Sequence, residues 1–193
     1  ASGERGARDP RQLLALRKRL ADCLVELGSF EDALQQYAAL LRERPTMLEL
    51  QQAAAMALQT WGVQQQRPAA LDQAVRGAMP GPDGKNVVWG WLRLATAVDG
   101  ARRRAAETAA SDPAAAERAE RLADMFFEAR YNVARVRLLS ARLATGPARR
   151  EQLNAARQNI ESMKTLYPDL GGLRWQAAFQ KLLAEIDEEL TKS

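Results

Sequence analysis

The chain has 193 residues, a formal net charge of +4 and no histidine, and alanine and leucine dominate its composition. These residues favour helices, because they lose little side-chain freedom there. The lack of histidine removes the commonest general base and the commonest metal ligand, and the lone Cys23 excludes an internal disulfide. The longest apolar run, 87–98, is interrupted by Arg93 and is too short to span a bilayer, so no membrane insertion is expected.

The first helix is predicted from Pro10 to about Leu27, with Asp9 as its cap and Gly28 as its stop. Proline suits the first turn of a helix and glycine suits the residue just past its end. Leucines recur along this segment at spacings of three and four, which predicts one apolar stripe. The stripe consists of Leu13, Leu16, Leu20, Leu24 and Leu27.

Three further helices are predicted before residue 80. Ser29 is placed to cap the second, which Pro45 ends, and Thr46 opens a capping box for the third. The third helix is expected to stop near Gly62, and Pro68 starts the fourth.

The segment 80–84, rich in proline and glycine, is the strongest break in the chain. No stretch alternates apolar and polar residues for long enough to predict a sheet. A fifth helix is expected over about 86–110 and a sixth over about 113–144, roughly 45 Å long at 1.5 Å per residue. A seventh helix ends at 167–168, and an eighth begins at about 170–172.

Within the segment 14–47, small, aromatic and helix-ending residues recur at set spacings: Leu20, Ala21, Leu24, Gly28, Phe30, Ala33, Tyr37 and Pro45. With these residues the segment resembles one tetratricopeptide repeat, a helical hairpin that buries its apolar face only against stacked neighbours. Arg17 stands where the family has an aromatic residue in the first helix. The resemblance implies an all-α fold of antiparallel hairpins stacked as a right-handed solenoid.

The pattern divides the chain into four parts. Residues 1–8 are expected to be a disordered lead-in, 9–79 to form repeat-like hairpins, 80–85 to be a loop, and 86–191 to be a helical region. This last region carries long helices, a degenerate hairpin and a C-terminal capping helix. An irregular helical bundle with a single repeat-like hairpin explains the leucine and alanine periodicity equally well.

The family resemblance also implies a binding face. In tetratricopeptide repeats, the first helix of each pair lines a concave surface that holds a protein or peptide. The corresponding positions here are Lys18, Asp22, Val25, Gln52, Met56, Gln59, Tyr131 and Arg135. For any one of them, the alternative is a polar side chain that merely faces solvent. The sixth helix could instead cover this groove.

The sequence offers no catalytic set, so we expect neither an enzyme nor a cofactor or metal. Cys23 and the pair Trp89 and Trp91 are expected to pack in the core, whereas Trp61 is expected to be half-exposed. The sequence therefore predicts a non-catalytic protein-interaction or scaffold module, as part of a larger bacterial protein or complex.

The alternative is RNA or DNA binding through arginine-rich helix faces. The candidate residues are Arg102, Arg103, Arg104, Arg135, Arg142 and Arg149. Acidic residues are interspersed among them and no aromatic platform accompanies them, so solvated, charge-laced helix faces are the preferred interpretation.

Overall fold

The computed structural model describes residues 9–192, and over this range eight α-helices and one short β-hairpin are formed. The all-α class predicted from the sequence is confirmed, whereas the stacked solenoid remains a prediction. The predicted lead-in, 1–8, lies outside the described residues. The helices, α1 to α8, are Pro10–Glu26, Phe30–Glu43, Leu48–Gln64, Pro68–Arg76, Trp91–Thr108, Pro113–Leu143, Gly146–Leu166 and Leu173–Thr191.

The first four helices pack mainly against their neighbours in the chain: α1 on α2, α2 on α3, and α3 on α4. Gly28 turns the chain between α1 and α2 with φ +77°, a conformation that favours glycine. Ala21 of α1 is fully buried, and Phe30, Ala33 and Tyr37 bury the facing side of α2. These small and aromatic residues allow the close approach that the repeat-like spacing predicts.

A β-hairpin joins α4 to α5. Residues 81–85 form its turn, within the predicted loop, whereas the helix predicted from 86 begins only at Trp91 and the two strands were not predicted. Strands β1, Ala78–Pro80, and β2, Asn86–Val88, pair antiparallel. Gln51 of α3 attaches this hairpin to the core, because its amide donates to the Val87 carbonyl at 3.0 Å and accepts from the Trp89 N–H at 2.7 Å. A fully buried glutamine thus satisfies backbone groups that a short hairpin leaves open.

Helix α6 is the central helix of the C-terminal half of the chain. It contacts α3, α4, α5, α7 and α8. Its predicted bounds are confirmed within one residue, since Asp112 caps it and it ends at Leu143. Two aromatic groups pack on it. Phe126 meets Tyr167 with ring centroids 5.2 Å apart, and Tyr131 meets Phe179 at 5.7 Å.

Details at several helix ends and packing positions differ from the sequence prediction. Neither Ser29 nor the residues before α3 make a side-chain cap hydrogen bond, whereas Asp9 does, at 2.9 Å to the Arg11 N–H. Trp61 is buried rather than half-exposed, because its ring stacks on Phe30. Cys23, expected in the core, is exposed.

Candidate functional site

The predicted binding residues of α1 form a hydrogen-bonded cluster with α2. Asp22 accepts a bond of 2.8 Å from Lys18 and another of 2.5 Å from the Tyr37 hydroxyl. Burial raises the pKa of Tyr37, and the neighbouring Asp22 carboxylate raises it further. Val25 packs against the core at the same interface. Lys18 and Asp22 remain partly accessible, so a contact with a partner stays a prediction for them.

Two of the predicted residues of α3, Gln52 and Gln59, are hydrogen-bonded to α6. Gln59 is only 4% exposed, and its buried amide is satisfied because it donates to Asn132 at 3.2 Å and accepts from the Trp91 indole at 2.9 Å. The prediction that Gln59 is accessible to a partner is therefore wrong. Gln52 is half-buried and donates to Glu128 of α6 at 2.8 Å. Burial, and then the nearby Asp124, raise the pKa of that Glu128 carboxyl.

Of the remaining predicted residues, Met56 and Arg135 are exposed, whereas Tyr131 packs between Trp175 and Phe179 of α8. Helix α6 thus covers part of the face that was expected to form an open groove. The eight residues do not line one continuous accessible surface. Partner binding at the exposed positions remains a prediction.

Several large apolar side chains are exposed together on the outer side of α1 and at the residue that follows it. Leu13, Leu16, Leu20 and Leu27 are 42%, 57%, 51% and 79% exposed. Cys23 lies among them and is also exposed. These five residues are called the leucine face below. The stripe that the sequence predicts on α1 therefore exists, but it points away from the core.

Packing geometry explains why the leucine face is left open. Helix α1 contacts α2 and, to a small extent, α3. It uses a different side of the helix for this, made of the buried Ala21 and the half-buried Leu14 and Val25. With about 100° between successive residues, Ala21 lies well over 90° from the centre of the leucine face. Leu24 lies between the two sides and is half-buried.

The arginines proposed for nucleic-acid binding are mostly paired with carboxylates. Asp99 accepts from Arg102 at 2.7 Å and from Arg103 at 2.6 Å. Partial burial raises the pKa of Asp99, but these two arginines outweigh that effect and lower it. Glu189 of α8 binds both Arg142 and Arg149 of the neighbouring helices.

No metal site is present among the described residues, in that no three His, Cys, Asp or Glu side chains are grouped to hold an ion. Over residues 9–192, no helix is both long and apolar enough to cross a membrane. A scan against protein-family models finds no match, and neither do searches of curated proteins and of solved structures. Function therefore has to be inferred from the surface of this chain.

Proposed function

We propose that this chain is a non-catalytic protein–protein interaction module and that the leucine face of α1 binds an apolar helix. The observation that carries this proposal is the exposure of four leucines along one side, three of them in α1 and Leu27 directly after its last residue. Isolated exposed leucines are common on soluble proteins. A contiguous patch on the order of 400 Å² is comparable to the largest apolar patch of a typical monomer, and such a patch is often functional.

The shape of the leucine face favours a helix as the partner. From Leu13 to Leu27 it runs for about 21 Å along α1 at 1.5 Å per residue. It is narrow, because spacings of three and four place one apolar side chain per turn. A second helix with the same spacing matches such a stripe by inserting its side chains between these leucines.

The neighbouring helices hold α1 in place beneath this face. The sequential packing of α1, α2, α3 and α4 is the pattern that stacked hairpins of the tetratricopeptide type have, and in such arrays an outer helix offers its free side to the next element. Nucleic-acid binding has less support, because Asp99 and Glu189 already engage four of the candidate arginines.

A photo-crosslinking amino acid at position 16 tests the proposal in the cells that produce the protein. We expect discrete crosslinked products, because Leu16 is at the centre of the leucine face. The same amino acid at Gln180, which is exposed on α8, is the matched control and should give none. Adding Leu20→Glu should remove the products at position 16. Equal labelling at both positions, or no product at position 16, contradicts the proposal.

A further inference from the structure

We infer that the occupant of the leucine face is a second copy of this chain, with the two α1 helices packed antiparallel about a two-fold axis. This inference rests on the proposed function, since it names the partner of the same surface. A two-fold dimer uses one patch on both subunits, so the patch must be complementary to itself. The order of residues along α1 meets this condition in both its apolar and its charged positions.

The apolar positions are self-complementary when the axis passes between residues 21 and 22. Leu16 then lies opposite the partner's Leu27, and Leu20 lies opposite the partner's Cys23. The same two layers repeat on the other side of the axis. The spacings of four, three and four from Leu16 to Leu27 are those of the core positions of a two-helix coiled coil.

The charged positions decide between orientations. Arg19 and Glu26 are exposed, lie on the same side of the leucine face, and have no ion-pair partner among residues 9–192. They are seven positions apart in the sequence, which is about two helical turns. In the antiparallel arrangement, Arg19 lies beside the partner's Glu26 and Glu26 lies beside the partner's Arg19. Two symmetric ion pairs therefore flank the apolar layers.

A parallel arrangement lacks this complementarity. In parallel pairs, a residue one position before a core position faces the residue that follows a core position on the other helix. Arg19 would then face the partner's Leu24, and Glu26 would gain no cation from the α1 helix of the partner. The antiparallel dimer is the arrangement that satisfies both charges.

The size of the patch sets the expected strength of the dimer. A standard stable interface buries about 800 Å² on each partner. The leucine face provides on the order of half of that, so the dimer should dissociate in the range of about 10–100 µM. Monomer and dimer should therefore exchange over concentrations that ultracentrifugation can cover.

Sedimentation equilibrium of the full chain, from about 2 to 500 µM, tests the inference. The wild-type protein should show a reversible monomer–dimer equilibrium. Arg19→Glu alone should weaken the dimer by about tenfold, because it places two pairs of carboxylates side by side. Glu26→Arg alone should weaken the dimer by about the same factor, because it places like charges side by side. The variant with both changes restores opposite charges in reversed order and should dimerise within about threefold of the wild type.

Matched controls separate this effect from general changes of charge or folding. Arg118→Glu changes an exposed arginine of α6, outside the leucine face, and should leave the dimer unchanged. All substituted side chains are exposed, so circular dichroism should report the same helix content in every variant. A wild-type monomer at 500 µM overturns the inference, and so does a double variant no stronger than the single ones.

The crosslinked products distinguish failure of this inference from failure of the proposed function. A product at position 16 with twice the mass of the chain supports the second copy. A product of any other mass, together with a monomer in the ultracentrifuge, rejects the second copy but keeps the interaction face. No product at position 16 and no dimer reject both.

Discussion

The two terminal helices of the described chain, α1 and α8, have similar apolar stripes but use them in opposite ways. On α8, Trp175, Phe179, Leu182 and Ile186 are buried against α6 and α7. On α1 and at the residue directly after it, four leucines at similar spacings face outward. The difference is the neighbour. Helix α6 is long enough to receive α8 beside α7, whereas within residues 9–192 α1 contacts mainly α2 and, to a small extent, α3.

The charges follow the same division. The polar edge of α8 forms ion pairs with the adjoining helices. Glu189 binds both Arg142 and Arg149. Arg174 binds Asp124 of α6 at 3.0 Å. On the outer side of α1, Arg19 and Glu26 have no such partners in the described part of the chain. An amphipathic stripe alone therefore does not identify the side of a helix that faces the core. The available neighbours decide whether that stripe becomes core or interface.

The largest expected effect is on the α8 side of this comparison. Phe179→Ala should lower the free energy of unfolding by about 3–5 kcal/mol, because it removes a fully buried ring that packs on Tyr131 and Trp175. Urea denaturation at about 1 µM protein measures this. Leu16→Ala is the control on α1 and should change the same quantity by less than about 0.5 kcal/mol. A loss above about 2 kcal/mol at Leu16 means that the leucine face belongs to the core.

A smaller effect is expected from the ion pairs of α8. Partial burial raises the pKa of Glu189, but the hydrogen bonds from Arg142 and Arg149 outweigh it and hold the pKa below its ordinary value of 4.5. A carboxyl with a lowered pKa in the folded state contributes stability above its unfolded pKa, and loses it as the pH falls through the folded value.

The free energy of unfolding should therefore fall more steeply below about pH 4.5 in the wild type than in Glu189→Gln. Near neutral pH the variant should be the less stable protein, and the two should converge in acid. Glu188→Gln, whose partner is the exposed Lys192, is the matched control and should follow the wild type. Parallel pH profiles for the wild type and Glu189→Gln would show that the bonds of Glu189 contribute nothing to the free energy of unfolding.

The sequence predicts the helices well because their ends carry strong local signals. Asp112 and Pro113 start α6, and Gly28 turns the chain between α1 and α2. These signals act within a few residues, so a sequence pattern contains them. Helix number, order and approximate bounds follow from them.

The features that the sequence missed depend on residues far apart in the chain. The three-residue strands of the β-hairpin depend on Gln51. Its side-chain oxygen accepts a hydrogen bond from the backbone N–H of Trp89, 38 positions away. Gln59 is buried next to Asn132, 73 positions away, which accepts a hydrogen bond from its amide. The orientation of α1 is set by α2, which packs on the side of α1 that carries Ala21 and not on the leucine face. Local periodicity contains none of this information.

The reaction of Cys23 with a maleimide tests the central claim most directly, because this single thiol lies on the leucine face. In the folded protein at about 1 µM, below the expected dimer range, labelling should proceed within roughly tenfold of the rate in denaturing urea. At 500 µM it should slow as the partner covers the thiol. Protection of 100-fold or more at 1 µM would contradict the account, since it would place the leucine face of α1 inside the core.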